Sequence, residues 1–259
     1  MIDPLFAAAA AGVLAVVALA LAVPVPILLA RADWPTRAPA RALVLWQAIA
    51  LAGGFSMIGA LIGAGIALAP HHTLGGGILI GTAVGLAGHL LGHLAATIAS
   101  VVRSRSRHRA LLELLTSPDP SRPQTLILDA ATPVAYCLPA GFSSITVLSR
   151  GLLDRLSPAE LAAVIAHERA HLTQRHDIVL VAFRAWHSAL PWFPIAARAA
   201  EEVAVLVELL ADDGARRTTP DDVLARAIAA VSAAHVTDFV DVGTARPRAA
   251  RDRLARLAG

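Results

Sequence analysis

Residues 167–171 read His-Glu-Arg-Ala-His, an HExxH pattern. On a helix, His167 and His171 lie one above the other on a single face, so both imidazoles can reach one metal ion. Glu168 projects beside them, where it can take a proton from a water held by that ion. The chemistry so served is metal-assisted hydrolysis with Glu168 as general base. Catalytic zinc takes three protein ligands and keeps a position open, so a further donor is needed downstream. Glu208, in VELLADDGA (207–215), meets the need, and Asp212 one turn on can hold a ligand His in its productive tautomer. Glu201 and Glu202 are rivals, but beside Arg198 they read better as acids at a helix N-terminus. His176, in a charged QRHD segment, and His187, in an apolar one, are weaker donors. The bland alternative is two His and a Glu on a solvated helix face.

The helix under this motif has a well-specified start. Ser157-Pro158-Ala159-Glu160 is a capping box with Pro at the first helical position, and Leu161, Val164, Ile165 and Leu172 supply a buried face. Upstream, 109–116 reads as a short amphipathic helix and SPDPSRP (117–123) as a breaker-rich linker. Three β-like runs, 124–129, 134–138 and 143–148, predict a small sheet. Downstream, Thr219-Pro220-Asp221-Asp222 caps a helix running to about residue 234. The 246–256 tail carries five Arg and reads as a solvated or membrane-apposed helix. His235 and these arginines are candidate oxyanion donors by position only. Cys137 reads as a packed free thiol, and a single cysteine excludes an intramolecular disulfide framework or a Cys-based zinc ribbon.

Composition places these elements at a membrane. Of 259 residues 56% are hydrophobic and 16% charged, against roughly 45–50% and about 25% for a soluble domain. The excess sits at the front, in apolar stretches 5–30, 43–69 and 77–102. Each exceeds the roughly 20 residues that span a bilayer as a helix. The first has only Asp3 before it and no basic flank, unlike a cleaved signal peptide. Arg31, Arg37 and Arg41 lie between spans one and two, Arg103, Arg105, Arg107 and Arg109 follow span three, and 69–77 carries no Arg. The positive-inside rule then predicts an outside N-terminus and a cytoplasmic 103–259 domain after the 1–102 membrane region. Glycines at small-xxx-small spacing predict close packing of spans two and three. His89 and His93, one turn apart in span three, read as neutral packing groups, with no acid in the span to complete a metal site.

All 22 cationic side chains are Arg, yet the net charge is only +3, so no direct nucleic-acid binding is expected. One stretch creates a conflict: 178–199 is long enough to cross a membrane once, which would part His171 from Glu208. Arg184, His187, Pro191 and Pro194 argue against a span, and Trp186, Trp192 and Phe193 suit the interface. An interfacial segment is expected.

HERAH, followed 37 residues after His171 by the ExxAD of Glu208 and Asp212, resembles the gluzincin-type membrane metallopeptidases. AYCLPAG (135–141) is similar to a strand-and-turn segment that the BlaR/MecR-type peptidases of antibiotic-sensing signalling carry before their zinc helix. HtpX and CAAX-prenyl peptidases share ExxxD but resemble the chain less there. The resemblance implies a mainly α membrane protein: three N-terminal transmembrane helices, then a cytoplasmic α+β zincin-like metalloprotease domain with a small sheet. It implies Zn2+ on His167, His171 and Glu208, Glu168 as catalytic base, and Asp212 behind a ligand. The implied partners are the lipid bilayer and a protein substrate, a winged-helix transcriptional repressor or the chain itself. The sensors continue into a further span and an extracellular penicillin-binding domain, whereas this sequence ends at Gly259, so β-lactam sensing is not among the expectations. The rival from another class is a non-proteolytic membrane adaptor with a vestigial or structural metal site.

Overall fold

The computed structural model describes residues 3–140, 143–238 and 245–258. The chain divides into two compact units, Met1–Ala99 with Val181–Val203, and Ser100–Leu180 with Ala204–Gly259.

The first unit holds α1 (Pro4–Ala22), α2 (Pro24–Arg31), α3 (Trp34–Arg37), α4 (Pro39–Leu68) and the start of α5 (Thr73–Leu115). Asp3 caps α1 by accepting from the Leu5 N–H at 2.9 Å. Pro24 has no N–H to continue the α1 ladder, so the first span breaks into α1 and α2. Three helical stretches, Pro4–Arg31, Pro39–Leu68 and Thr73–Leu112, are long and apolar enough to cross a membrane. α1 packs on α4 at Gly63, where a Cβ would lie 3.1 Å from that of Ala11 and 3.2 Å from the Ala7 carbonyl.

The 178–199 stretch is not one segment. The helix α8 (His176–Ala189) stops before Pro191, and α9 (Pro194–Ala215) starts on Pro194. The last turn of α8 leaves carbonyls without helical donors. One of them is met from span three, where His89 Nε2 donates to the Ala189 carbonyl at 2.9 Å. His93 Nδ1 lies 3.0 Å from Ser188 Oγ, whose own proton goes to the Ala185 carbonyl. The two histidines are thus hydrogen-bonding groups between helices.

In the second unit α5 runs on as far as Leu115, so 109–115 is no separate helix, because no Pro or Gly lies between Gly92 and Pro118. Four strands follow: β1 (Thr116–Pro118), β2 (Thr125–Leu128), β3 (Ala135–Ala140) and β4 (Ser143–Ser149). They form a mixed sheet in the order β1-β2-β4-β3, with β2 parallel to β4 and the other pairs antiparallel. β1 starts at Thr116, the last residue of the expected 109–116 helix, and runs into the expected linker, pairing Ser117 with Ile127. The short helix α6 (Arg150–Leu153) leads to α7 (Pro158–Thr173), which carries HERAH. The mostly helical chain, with three apolar N-terminal helices before a domain holding a small sheet, bears out the expected fold class.

α7 is held on two sides. Leu161 packs with Leu148, Leu152 and Leu156 from the sheet side. Ala163 packs with Ala215, Leu224, Ala227 and Ile228, the last three from α10 (Asp221–Asp238). The helix α11 (Ala245–Leu257) contacts α10, and Leu254 and Leu257 join that second cluster.

Candidate metal centre

The capping box is formed as expected. Ser157 Oγ accepts from the Glu160 N–H, and a Glu160 carboxylate oxygen accepts from the Ser157 N–H at 2.9 Å. This fixes the start of α7, and two helical turns on it buries His167 and Ala170. α9 reaches α7 through a small-residue contact, since a Cβ on Gly214 would come within 2.5 Å of the Ala170 Cβ. That closeness lets Glu208 and Asp212, on the same helix as Gly214, reach the HERAH face.

Among the described residues, His167, His171 and Glu208 form the one group of three or more metal-ligating side chains, with a donor atom of each within 4.8 Å of the others. His167 Nε2 lies 3.0 Å from His171 Nε2 and 3.4 Å from Glu208 Oε2, and His171 Nε2 lies 3.5 Å from Glu208 Oε1. Zinc–nitrogen and zinc–oxygen bonds of about 2.0–2.1 Å imply ligand–ligand edges of about 3.3 Å in a tetrahedron. The observed edges fit a zinc-sized ion. His167 Nδ1 donates to Asp212 Oδ1 at 2.9 Å, which turns its Nε2 toward the other two donors.

A guanidinium completes the cluster. Arg253 of α11 donates to both Asp212 oxygens, from Nε at 2.7 Å and Nη2 at 2.8 Å, and to Glu208 Oε2 from Nη1 at 3.1 Å. Its neighbour Arg256 pairs with Asp213 at 2.8 Å. The tail therefore is not simply a solvated or membrane-apposed helix: two of its arginines turn inward to neutralise acids of α9.

These neighbours set the protonation states. Burial alone would lower the His167 pKa, but hydrogen bonds to Asp212 and Glu208 outweigh it and raise it to about 9. Burial holds His171 down at about 4. In the metal-free state one proton therefore sits between the facing Nε2 atoms, donated by His167 to His171. Burial would raise Glu208, but its hydrogen bond to His167, then the charges of His167 and Arg253, bring it down to about 2. Asp212 is likewise depressed against burial by His167 and Arg253. Glu168 behaves in the opposite way: burial lifts it to about 7, opposed by the His167 charge and helped by that of Glu208. A carboxyl poised near neutrality beside three metal-type donors is equipped to accept and return a proton.

Other candidates are placed elsewhere. Glu202 lies 3.9 Å from Arg198, and neither Glu201 nor Glu202 joins the donor group. Among the described residues, the buried His187 Nδ1 has no hydrogen-bond partner. His176 is buried and stands 3.0 Å from His171, but from its Nδ1 side, away from the converging atoms. Cys137 is half-buried on the edge strand β3, its thiol raised by burial, 3.6 Å from Thr146 Oγ1. The His235 side chain and those of Arg246 and Arg248 lie outside the described residues.

An HExxH helix faced by an ExxxD helix is the arrangement of gluzincin-type metallopeptidases. The profile of peptidase family M48 matches residues 102–236, just over half of the chain, and the chain belongs to that family. It is similar to protease HtpX homolog 2 of Methanosarcina mazei, 35% identical over 74 residues, and to protease HtpX homolog 2 of Methanosarcina acetivorans, 32% identical over 74 residues. Each match covers 28% of this chain and spans about a quarter, 25%, of the relative. No solved structure matches. The family and the three apolar helices mark a membrane protein. The antibiotic-sensor subtype suggested by AYCLPAG finds no support in these matches, which point to the HtpX-like group, the one that 135–141 resembles less.

Proposed function

We propose that this chain is a membrane-embedded, zinc-dependent endopeptidase that cleaves a cytoplasmic or membrane-proximal protein. The observation that carries this reading is the convergence of His167, His171 and Glu208 on one point with the half-buried Glu168 carboxyl beside them. His167, His171 and Glu208 would hold the zinc, and Asp212 would fix the His167 tautomer. Zinc, when bound, supplies Lewis acidity for polarising a carbonyl and activating water. Glu168 takes a proton from the attacking water and returns it to the leaving amine. Arg253 keeps Glu208 and Asp212 ionised, so both remain acceptors at neutral pH. β3 closes the sheet order on one side and packs against α7, so its free edge suits an extended peptide added as a strand.

The arginine distribution supports an outside N-terminus with Glu168 on the cytoplasmic side. Regulatory proteolysis of a winged-helix repressor, or of the chain itself, is the substrate reading consistent with that side. The rival, an adaptor with a structural metal, has no use for a half-buried carboxyl held near neutrality. Expression of wild type and Glu168→Gln in the same host decides between them. A protein that shortens or disappears with wild type and persists with the variant supports the peptidase. Identical protein profiles, with stoichiometric zinc in both, favour the adaptor.

A further inference from the structure

A chain of hydrogen bonds runs behind His171, on the side away from the converging donors. It starts at the Leu210 carbonyl of α9, which can only accept. Gln174 Nε2 donates to it at 3.2 Å, which orients the amide and leaves Oε1 facing His176 Nε2 at 3.1 Å. An amide oxygen only accepts, so His176 Nε2 carries the proton and His176 Nδ1 is bare. That bare nitrogen is 3.0 Å from His171 Nδ1, so His171 Nδ1 is the donor and its proton cannot be on Nε2. The ring centroids of His171 and His176 are 4.9 Å apart at an interplanar angle of 88°.

The backbone builds this contact. α7 ends at Thr173, and Arg175 takes the left-handed conformation at φ 51°, which folds the chain back so that His176 opens α8 beneath the last turn of α7. His176 is 3% exposed, so its ring is held in place by packing as well as by its partners.

We infer, on the zinc reading above, that His176 is a positioning residue: it locks His171 in the Nδ1–H tautomer and aims the Nε2 lone pair at the metal. Asp212 does the same for His167, so the two histidine ligands are oriented from opposite sides, one by a carboxylate and one by an imidazole. The carboxylate adds negative charge to the site and the imidazole adds none.

The test uses the full-length protein in detergent, stripped of metal and titrated with zinc against a chromophoric chelator. Asn at 176 carries a carbonyl oxygen close to the place of Nδ1, whereas Gln carries it further out, near the place of Nε2. His176→Asn is expected to bind zinc with nearly wild-type affinity. His176→Gln and His176→Leu are expected to bind roughly 10- to 100-fold more weakly. A residue that merely fills space would not separate Asn from Gln, so Asn and Gln variants that bind alike overturn the inference. That contrast decides the matter even where the Leu variant fails to fold. His176→Leu binding as wild type does, while His171→Ala loses zinc, overturns the role of His176 and leaves the zinc reading standing. A wild-type protein that takes up no zinc overturns the zinc reading and this inference with it.

Discussion

The guanidinium of Arg253 meets the carboxylate of Asp212 side-on, through Nε at 2.7 Å and Nη2 at 2.8 Å. Two parallel charge-assisted bonds fix both groups in plane, and the remaining Arg253 nitrogen, Nη1, reaches Glu208 at 3.1 Å. One cation thus balances two acids that both face His167.

Removing it should be costly. Asp212 is 2% exposed, and Arg253→Leu leaves it buried with only His167 to compensate. Breaking a buried pair from one side costs about 3–5 kcal/mol. The expected outcome is a marked loss of thermal stability in the metal-free protein and a smaller loss with zinc bound, since the ion supplies positive charge to the same acids. Melting curves of wild type and variant, with and without zinc, check this. Arg253→Lys should recover only part of the loss, because an ammonium cannot make the two-armed contact.

A methyl group at Gly214 should separate the two site helices. Its Cβ would lie 2.5 Å from that of Ala170, a contact that forces α7 and α9 apart. Gly214→Ala is expected to destabilise by about 1–3 kcal/mol, the range for overpacking, and to weaken zinc binding. The double variant Gly214→Ala with Ala170→Gly should recover most of both losses. Independent, additive effects in that cycle would show that the contact does not set the helix spacing.

Zinc binding should compete with a proton. His167 is held protonated up to about pH 9 in the metal-free protein, above its ordinary 6.5. A raised folded-state pKa stabilises the fold fully below about 6.5, and that contribution is lost as pH rises through about 9. Zinc needs the same nitrogen bare, so its affinity should strengthen by about tenfold per pH unit across this window and level off near 9. Chelator competition at three pH values between these limits measures the slope. An affinity independent of pH would contradict the protonated His167.

Asp212→Asn keeps the shape of the His167 partner and removes its charge. The amide can still accept from Nδ1–H, but it can also present its NH2 and leave His167 in the wrong tautomer. Zinc affinity is expected to fall roughly 10- to 100-fold, with a smaller loss of stability than for Arg253→Leu. Equilibrium zinc titration checks it, and unchanged affinity would remove Asp212 from the account.

What could be read in the sequence was local. The capping box, HERAH and the ExxAD spacing each lie within one helix, and their residues are few enough to be recognised by type and period. The three apolar helices were legible for the same reason. Arg253 was not, because it joins the site from 41 residues beyond Asp212 and nothing near it distinguishes it from the four other arginines of the tail. β1 was hidden because its pairing with 126–128 is a tertiary contact that straddles the end of a helical pattern and the start of a Pro-rich run. The conflict over 178–199 was visible, and Pro191 and Pro194 marked where the helices break, yet length alone favoured one interfacial segment over two helices. His176 looked weak as a ligand because its charged neighbours suggest solvent. The turn at Arg175, a non-glycine residue with positive φ, is what carries it inward.

Turnover by zinc-loaded Glu168→Gln tests the central claim most directly. Bound zinc and cleavage of casein, or of the protein itself, are to be measured on the same detergent-purified samples of wild type and variant. The expected result is one zinc in each and a rate lower in the variant by about 10²- to 10⁴-fold, the contribution of a positioned general base. A zinc-loaded variant that cleaves as fast as wild type would contradict Glu168 as the base and with it the endopeptidase mechanism built on this site.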